Sequence, residues 1–281
     1  MGKKKKDAMD IEDEAIEKLE GKISEDLRRK IDPEVFSTVE TVFDERTLQI
    51  LNKFFQQGLI DGIEGAISTG KEANVYYCPG NPPLACKIYR INSPAFKKMK
   101  IYVEGDHRFQ SYRKSRVGFI QAWAKKEFKN LKKMKEVGIP VPEPIEVERN
   151  VLLMEFLGDG EYALPKLVEA KVDSYARLYK DVMKAVQIMY REAKLVHGDL
   201  SPFNILFRED NQQFYIIDVS QSVLNSHPHA ELFLIRDVLN LNQFFADNGI
   251  EIIEEAKLLH WITGYRIDEG KILMAKNFDI E

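Results

Sequence analysis

The stretch His197-Gly198-Asp199-Leu200-Ser201-Pro202-Phe203-Asn204 decides the fold. It reads H-x-D-L-x-x-x-N, a spacing that puts a carboxylate and a carboxamide on one short loop. The carboxylate, Asp199, can accept a proton or orient a nucleophile, and the carboxamide, Asn204, can offer an oxygen to a divalent cation. Fourteen residues on, the apolar run Ile216-Ile217 ends in a second carboxylate, Asp218, where a second metal ligand is expected. An apolar run that ends in Asp can also be a plain strand cap, so the weight rests on what precedes it. His197 reads as a buried packing residue and not as a catalyst.

Upstream lies Ser68-x-Gly70-Lys71-x-Ala73-x-Val75. Phosphoryl transfer needs backbone N–H groups close to phosphate oxygens, and Ser, Gly and Ala stand at the three small-residue positions of G-x-G-x-x-G-x-V. A rival reading, Gly65-x-x-x-x-Gly70-Lys71-Glu72, nearly matches the Walker A loop. It fails because Glu72 replaces the metal-binding Ser or Thr, and because a strand, not a helix, is expected to follow. Lys87 ends Leu84-Ala85-Cys86-Lys87 in an otherwise apolar strand, and a lysine there needs an anion. Glu127 lies one helical turn from both Trp123 and Leu131, on an apolar face, and so needs a cation. Pairing the two gives the lysine–glutamate couple that orients ATP phosphates. The chain order of phosphate loop, Lys, Glu, H-x-D, Asn and Asp is what separates this reading from coincidence.

The surrounding pattern is α+β. Apolar positions Leu48, Leu51 and Phe55 predict a helix from Asp44 to Gly58, and Gly65 to Gly70 reads as a turn. Strands are expected at 74–78, 84–89, 151–155, 205–207 and 214–217. Helices are expected over 121–137, with Trp123, Glu127, Leu131 and Met134 on one face, and over 173–194, with Ala176, Tyr179, Val182, Met183, Val186 and Met189. Leu234, Val238 and Leu241 predict a helical tail. A β-rich part followed by an α-rich part argues for two lobes with a cleft between them. The expected division is a charged N-terminal extension with a helix (1–60), an N-lobe (61–153) and a C-lobe (154–281).

Composition excludes several classes. The 281 residues are 44% hydrophobic, as in a folded globular protein. No apolar run approaches the ~20 residues that span a bilayer. The N-terminal lysines are followed by no apolar stretch, so no secretory signal is expected. Met1-Gly2 starts like a myristoylation site, but Lys6 stands where Ser or Thr is required. Two cysteines without CxxC spacing support neither a zinc site nor a disulfide scaffold, and a cytoplasmic setting is expected. Net charge is -4, yet seven Lys or Arg lie between Lys97 and Arg116, and six lysines between Lys125 and Lys135. These runs read either as solvated surface or as a face for a phosphate-rich partner such as RNA. The region from Ile91 to Gly118 has no clean period and reads as a mobile segment with short helical pieces.

Three departures from ordinary protein kinases stand out. Gly198 replaces the arginine that grips an activation-loop phosphate, Asp218-Val219-Ser220 replaces Asp-Phe-Gly, and no Ala-Pro-Glu follows. With them, Ser68-Thr69-Gly70-Lys71-Glu72-Ala73-Asn74-Val75-Tyr76, the 197–204 loop and Ile217-Asp218-Val219-Ser220-Gln221-Ser222-Val223 closely resemble the first branch of the RIO family of atypical kinases, in its compact archaeal-like form. The resemblance covers roughly residues 40–250. It implies a small bilobal kinase fold, use of ATP with Mg²⁺ or Mn²⁺, serine/threonine kinase activity with autophosphorylation, and ATP hydrolysis in which Asp218 becomes phosphorylated. It also implies a role in maturing the small ribosomal subunit, whose precursor would be the partner, with no membrane or DNA partner. By the same resemblance Met154 to Leu157 is the hinge, with the Glu155 and Leu157 backbones holding adenine, and Ser111 and Ser115 are candidate autophosphorylation sites. The aminoglycoside and choline kinases share H-G-D-x-x-x-x-N, so a small-molecule phosphotransferase is the alternative. They lack the Ser68–Tyr76 loop.

Overall fold

A computed structural model describes residues 45–91, 99–109 and 115–276. The N-terminal lysines, Asp44 and Ser111 lie outside the described residues. Helix α1 (Glu45–Gln56) starts one residue after the expected Asp44 and is followed by Gly58 at φ 68°. The strands β1 (Ala66–Thr69), β2 (Ala73–Cys78) and β3 (Leu84–Tyr89) then form consecutive antiparallel neighbours. The 66–69 stretch was expected to be a turn. Its exposed residues lack an apolar period, and it becomes a strand through pairing with β2, across a register shift between Ala66 and Ser68.

Helix α2 (Arg116–Glu136) begins five residues before the expected 121. Ser115 caps it, its Oγ accepting from Gly118 N at 3.1 Å, so polar residues in the first turn still count as helix. Trp123, Glu127, Leu131 and Met134 are all buried, as their spacing requires. Lys126 is the exception to the reading of 125–135 as a solvated or partner-facing lysine run. It is fully buried, whereas Lys125, Lys129, Lys132 and Lys135 are exposed. The 91–118 region contains two short 3-10 turns, Lys100–Tyr102 and His107–Phe109.

Strands β4 (Pro144–Glu148) and β5 (Val151–Glu155) complete a five-stranded sheet in the order β1-β2-β3-β5-β4. β3 is buried on both faces. Alternation sends Leu84, Cys86 and Ile88 to one side, where they pack with Leu51, Phe54 and Phe55 of α1. Ala85, Lys87 and Tyr89 are sent to the other. Thr47 of α1 and the buried Asn150, at the β4–β5 turn, are joined side chain to side chain at 3.1 Å.

After the short hairpin β6 (Gly158–Asp159) and β7 (Tyr162–Ala163), the chain is mainly helical. Helix α3 (Tyr175–Arg191) is capped by Ser174. The expected Tyr179, Val182, Met183, Val186 and Met189 are buried, but Ala176 is exposed and Leu178 takes a core place. Strand β8 (Leu195–Val196) pairs β11 (Val223–Leu224), and β9 (Ile205–Arg208) pairs β10 (Gln213–Ile216). Helices α4 (Ala230–Asp247), α5 (Glu255–Thr263) and α6 (Glu269–Lys276) follow. Among the described residues, no helix is long and apolar enough to cross a membrane.

Candidate nucleotide and phosphate site

The two short strand pairs frame the loops that carry the polar groups. The first loop runs from β8 to β9 and holds residues 197–204. The second runs from β10 to β11 and holds 217–222. Ile217 N donates to Asn204 O at 3.0 Å, which ties the loops together. A cavity of about 530 Å³ opens between them and the sheet. Ser68, Gly70, Lys71, Ala73 and Val75 line it from the β1–β2 hairpin, and Glu155 and Leu157 from the end of β5 onwards. Lys87, Asn204 and Asp218 line its polar end.

Lys87 is the centre of that end. Its Nζ lies 2.9 Å from Glu127 and 2.8 Å from Asp218 Oδ1. The Glu127 side chain is 1% exposed and that of Asp218 44%, so one carboxylate is sealed and the other faces the cavity. Burial opposes the Lys87 charge, but Asp218 and Glu127 outweigh it and hold its pKa above the ordinary value. Burial pushes Glu127 up to about 7 even with Lys87 beside it. Asp218 moves the other way. Burial would raise it, but Lys87 and the Ser220 Oγ hydrogen bond at 3.0 Å keep it low and ionised.

Asn204 lines the same cavity, whereas Asp199 is hydrogen-bonded to Asn204 on the 197–204 loop and is not among the lining residues. Asn204 Nδ2 donates to Asp199 O at 2.8 Å, which orients the amide. Burial, and then the charge of Asp218, push Asp199 up to about 6. His197 is buried, and burial lowers it to about 4. Its Nδ1 accepts from Asp199 N at 3.3 Å, so the proton of the neutral ring sits on Nε2, which donates to Ile217 O at 3.1 Å. His197 thus braces both loops, as its packing role implied.

Two carboxylates went unread in the sequence. Asp237 of α4 is buried and accepts from Gly198 N at 2.8 Å and Leu200 N at 2.7 Å, so it holds the loop from beneath. Burial raises it to about 7. It lies three residues after Leu234 and four before Leu241, on an apolar face. The logic that found Glu127 would have found it too. Glu72 lines the cavity, and burial with the nearby Asp218 pushes it up to about 7. Its only signal was negative, as the residue that spoils a Walker A motif.

The donor set at the polar end is Asp218 and Asn204, all oxygen. Among the described residues, no cluster of three or more His, Cys, Asp or Glu could hold a metal alone. That fits Mg²⁺, which is commonly held by one or two carboxylates with phosphates and water completing the shell.

The family model of the RIO domain matches residues 74–258. The chain belongs to the RIO family. The RIO-type serine/threonine-protein kinase Rio1 of Haloferax volcanii is 37% identical over 268 residues, covering 94% of this chain and 90% of that protein. The human serine/threonine-protein kinase RIO1 is 39% identical over 266 residues, covering 92% of this chain but 46% of that protein. The chain likewise spans about half the length of the Dictyostelium discoideum and Caenorhabditis elegans relatives. The fold is that of the Rio2 kinase-ADP/Mg²⁺-phosphoaspartate complex from Chaetomium thermophilum, with a TM-score of 0.61 at 22% identity over 84% of this chain and 76% of that one. The α+β kinase-like architecture expected of a RIO protein is therefore the one found.

Proposed function

We propose that the chain is an atypical ATP-dependent serine/threonine protein kinase and ATPase, and that it acts in maturation of the small ribosomal subunit. The observation that carries the reading is Lys87 held between sealed Glu127 and cavity-facing Asp218, in a cavity that Asn204 also lines. A cation fixed at that height can meet the phosphates of a nucleotide whose base lies towards Glu155 and Leu157. Glu155 N–H already donates to Glu143 O, and Leu157 O accepts from Leu164 N. Adenine contacts there fall to the Glu155 carbonyl and the Leu157 amide.

Mg²⁺ would be held by Asp218 and Asn204 and would neutralise charge on the phosphates. Asp199 accepts or steers the proton of an attacking serine hydroxyl. The serine oxygen bonds to the γ-phosphorus, the bond to the β–γ bridging oxygen breaks, and ADP leaves. In the hydrolytic reading an Asp218 carboxylate oxygen attacks instead, giving an aspartyl phosphate and ADP. Water then cleaves it to inorganic phosphate and the restored carboxylate. The phosphoaspartate in the Chaetomium Rio2 complex supports this branch. The exposed Lys125, Lys129 and Lys132 support a phosphate-rich partner, such as the RNA of a small-subunit precursor.

The test is a single-turnover reaction with γ-labelled ATP, with and without purified small ribosomal subunits, followed by location of the label. Label on Asp218 released as inorganic phosphate supports the hydrolytic branch, and label accumulating on an added protein supports kinase activity towards other proteins. Label on an aminoglycoside or choline in preference to protein or Asp218 would overturn the assignment. If small subunits neither bind nor change turnover, the ribosomal role is wrong.

A further inference from the structure

Two side chains of α2 take no part in that chemistry, yet both reach the loop that carries Asp218. Lys126 is fully buried, and its Nζ donates to Ser220 O at 2.7 Å and Ser222 O at 2.5 Å. One turn on, buried Asn130 donates through Nδ2 to Val219 O and Ser222 O, both at 2.9 Å. Arg108 Nη1 donates to Asn130 Oδ1 at 2.9 Å, which fixes the way the amide is turned. Between these two residues sits Glu127, the partner of Lys87.

Burial, and then the charge of Arg108, hold the Lys126 pKa well below its ordinary value, and methionine would fill the same space without burying a polar amine. What the lysine adds is its hydrogen bonds to the loop. The loop needs them. Asp218 has φ 57°, a left-handed conformation that a side chain other than glycine adopts at a cost. The carbonyls of 219, 220 and 222 belong to neither flanking strand. Lys126 fixes the Ser220 backbone, and Ser220 Oγ in turn holds Asp218 Oδ1. One helix therefore sets both the sealed and the cavity-facing partner of Lys87.

We propose that Lys126 and Asn130 are positioning residues for Asp218, clamping the 218–222 loop to α2 so that Glu127 and the metal-binding carboxylate move as one body. The inference rests on the phosphotransfer reading for its metal. Its test separates the two. The variants are Lys126→Met, Lys126→Gln and Asn130→Ala. The probe is Mn²⁺, titrated by electron paramagnetic resonance into the ADP complex, with metal-free ADP affinity measured by calorimetry.

The clamp predicts that Mn²⁺ binds at least tenfold more weakly in Lys126→Met and Asn130→Ala. Metal-free ADP affinity should stay within twofold of wild type. Amide hydrogen exchange across 217–223 should speed at least tenfold. Lys126→Gln, which keeps an uncharged N–H donor group on a shorter stem, should fall between. Unchanged Mn²⁺ affinity, within twofold, in a folded Lys126→Met or Asn130→Ala protein overturns the proposal. If neither variant folds, exchange in the wild-type protein decides. Protection of 219–222 comparable to that of α2 supports the clamp, and exchange at free-peptide rates refutes it. A wild-type protein that binds no ADP with Mn²⁺ refutes the phosphotransfer reading instead, and the exchange arm still judges the clamp.

Discussion

Replacing Lys87 by methionine should give a stability defect that depends on pH in a set direction. Glu127 is 1% exposed, and its pKa is lifted from the ordinary 4.5 to about 7 with the ammonium in place. A carboxylate whose folded pKa lies above its unfolded one loses stability as it ionises, so the penalty appears as pH rises. At pH 5 Glu127 is protonated with or without Lys87, and the substitution costs little beyond the contact with the more solvated Asp218. Without Lys87 the Glu127 pKa climbs further, so from pH 7 upward the variant falls behind wild type by up to about 1.4 kcal/mol per pH unit. By pH 9 the difference reaches about 3 kcal/mol, the lower end of the ~3–5 kcal/mol expected for orphaning one half of a buried pair. Lys87 is itself charged throughout this range and adds no slope. Urea denaturation at pH 5, 7 and 9 measures the difference. Adding Glu127→Gln to the variant should flatten the pH dependence. A Lys87→Met cost equal at pH 5 and pH 9, or one that Glu127→Gln leaves unchanged, would refute the reasoning.

Asp199→Asn should lower phosphate transfer by about 10²–10⁴-fold while ADP affinity stays within a few-fold, measured by single-turnover assay and calorimetry. Asp237→Ala leaves the Gly198 and Leu200 amides without their acceptor and should cost about 1–3 kcal/mol in chemical denaturation, with a fall in turnover. Gly198→Ala meets φ 84° and contacts of 3.3 Å to Gln221 O and 3.4 Å to Tyr102. A loss of about 1–2 kcal/mol is expected in the same assay, and no loss would mean the 197–204 loop is slack. Ser115→Ala should cost about 1 kcal/mol and fray the first turn of α2, seen as faster amide exchange there.

The polar residues of the site were legible because each violates its surroundings. Lys87 in an apolar strand and Glu127 on an apolar helix face are expensive unless they meet, and they meet. The same rule missed Asp237 because α4 was read only for its leucines and valine. Lys126 was missed for a subtler reason. In a run of six lysines a single buried one carries no local mark, and only the carbonyls of a loop 94 residues away explain it. β1 was misread because its exposed residues carry no alternation, and pairing with β2 made it a strand. Helix ends were set by caps, as at Ser115, that periodicity does not report.

The packing of α1 has a consequence for how the chain is made. Its apolar face of Leu51, Phe54 and Phe55 is covered by β2, β3 and β5, and the last of these is completed only near residue 155. Thr47 finds Asn150 across 103 residues of sequence. At a synthesis rate of about 5–20 residues per second, the face waits roughly 5–20 s for β5. During that interval the nascent chain shows an uncovered hydrophobic stripe, which a holding chaperone can bind. A substitution that weakens α1 alone would be felt first as loss of yield during synthesis.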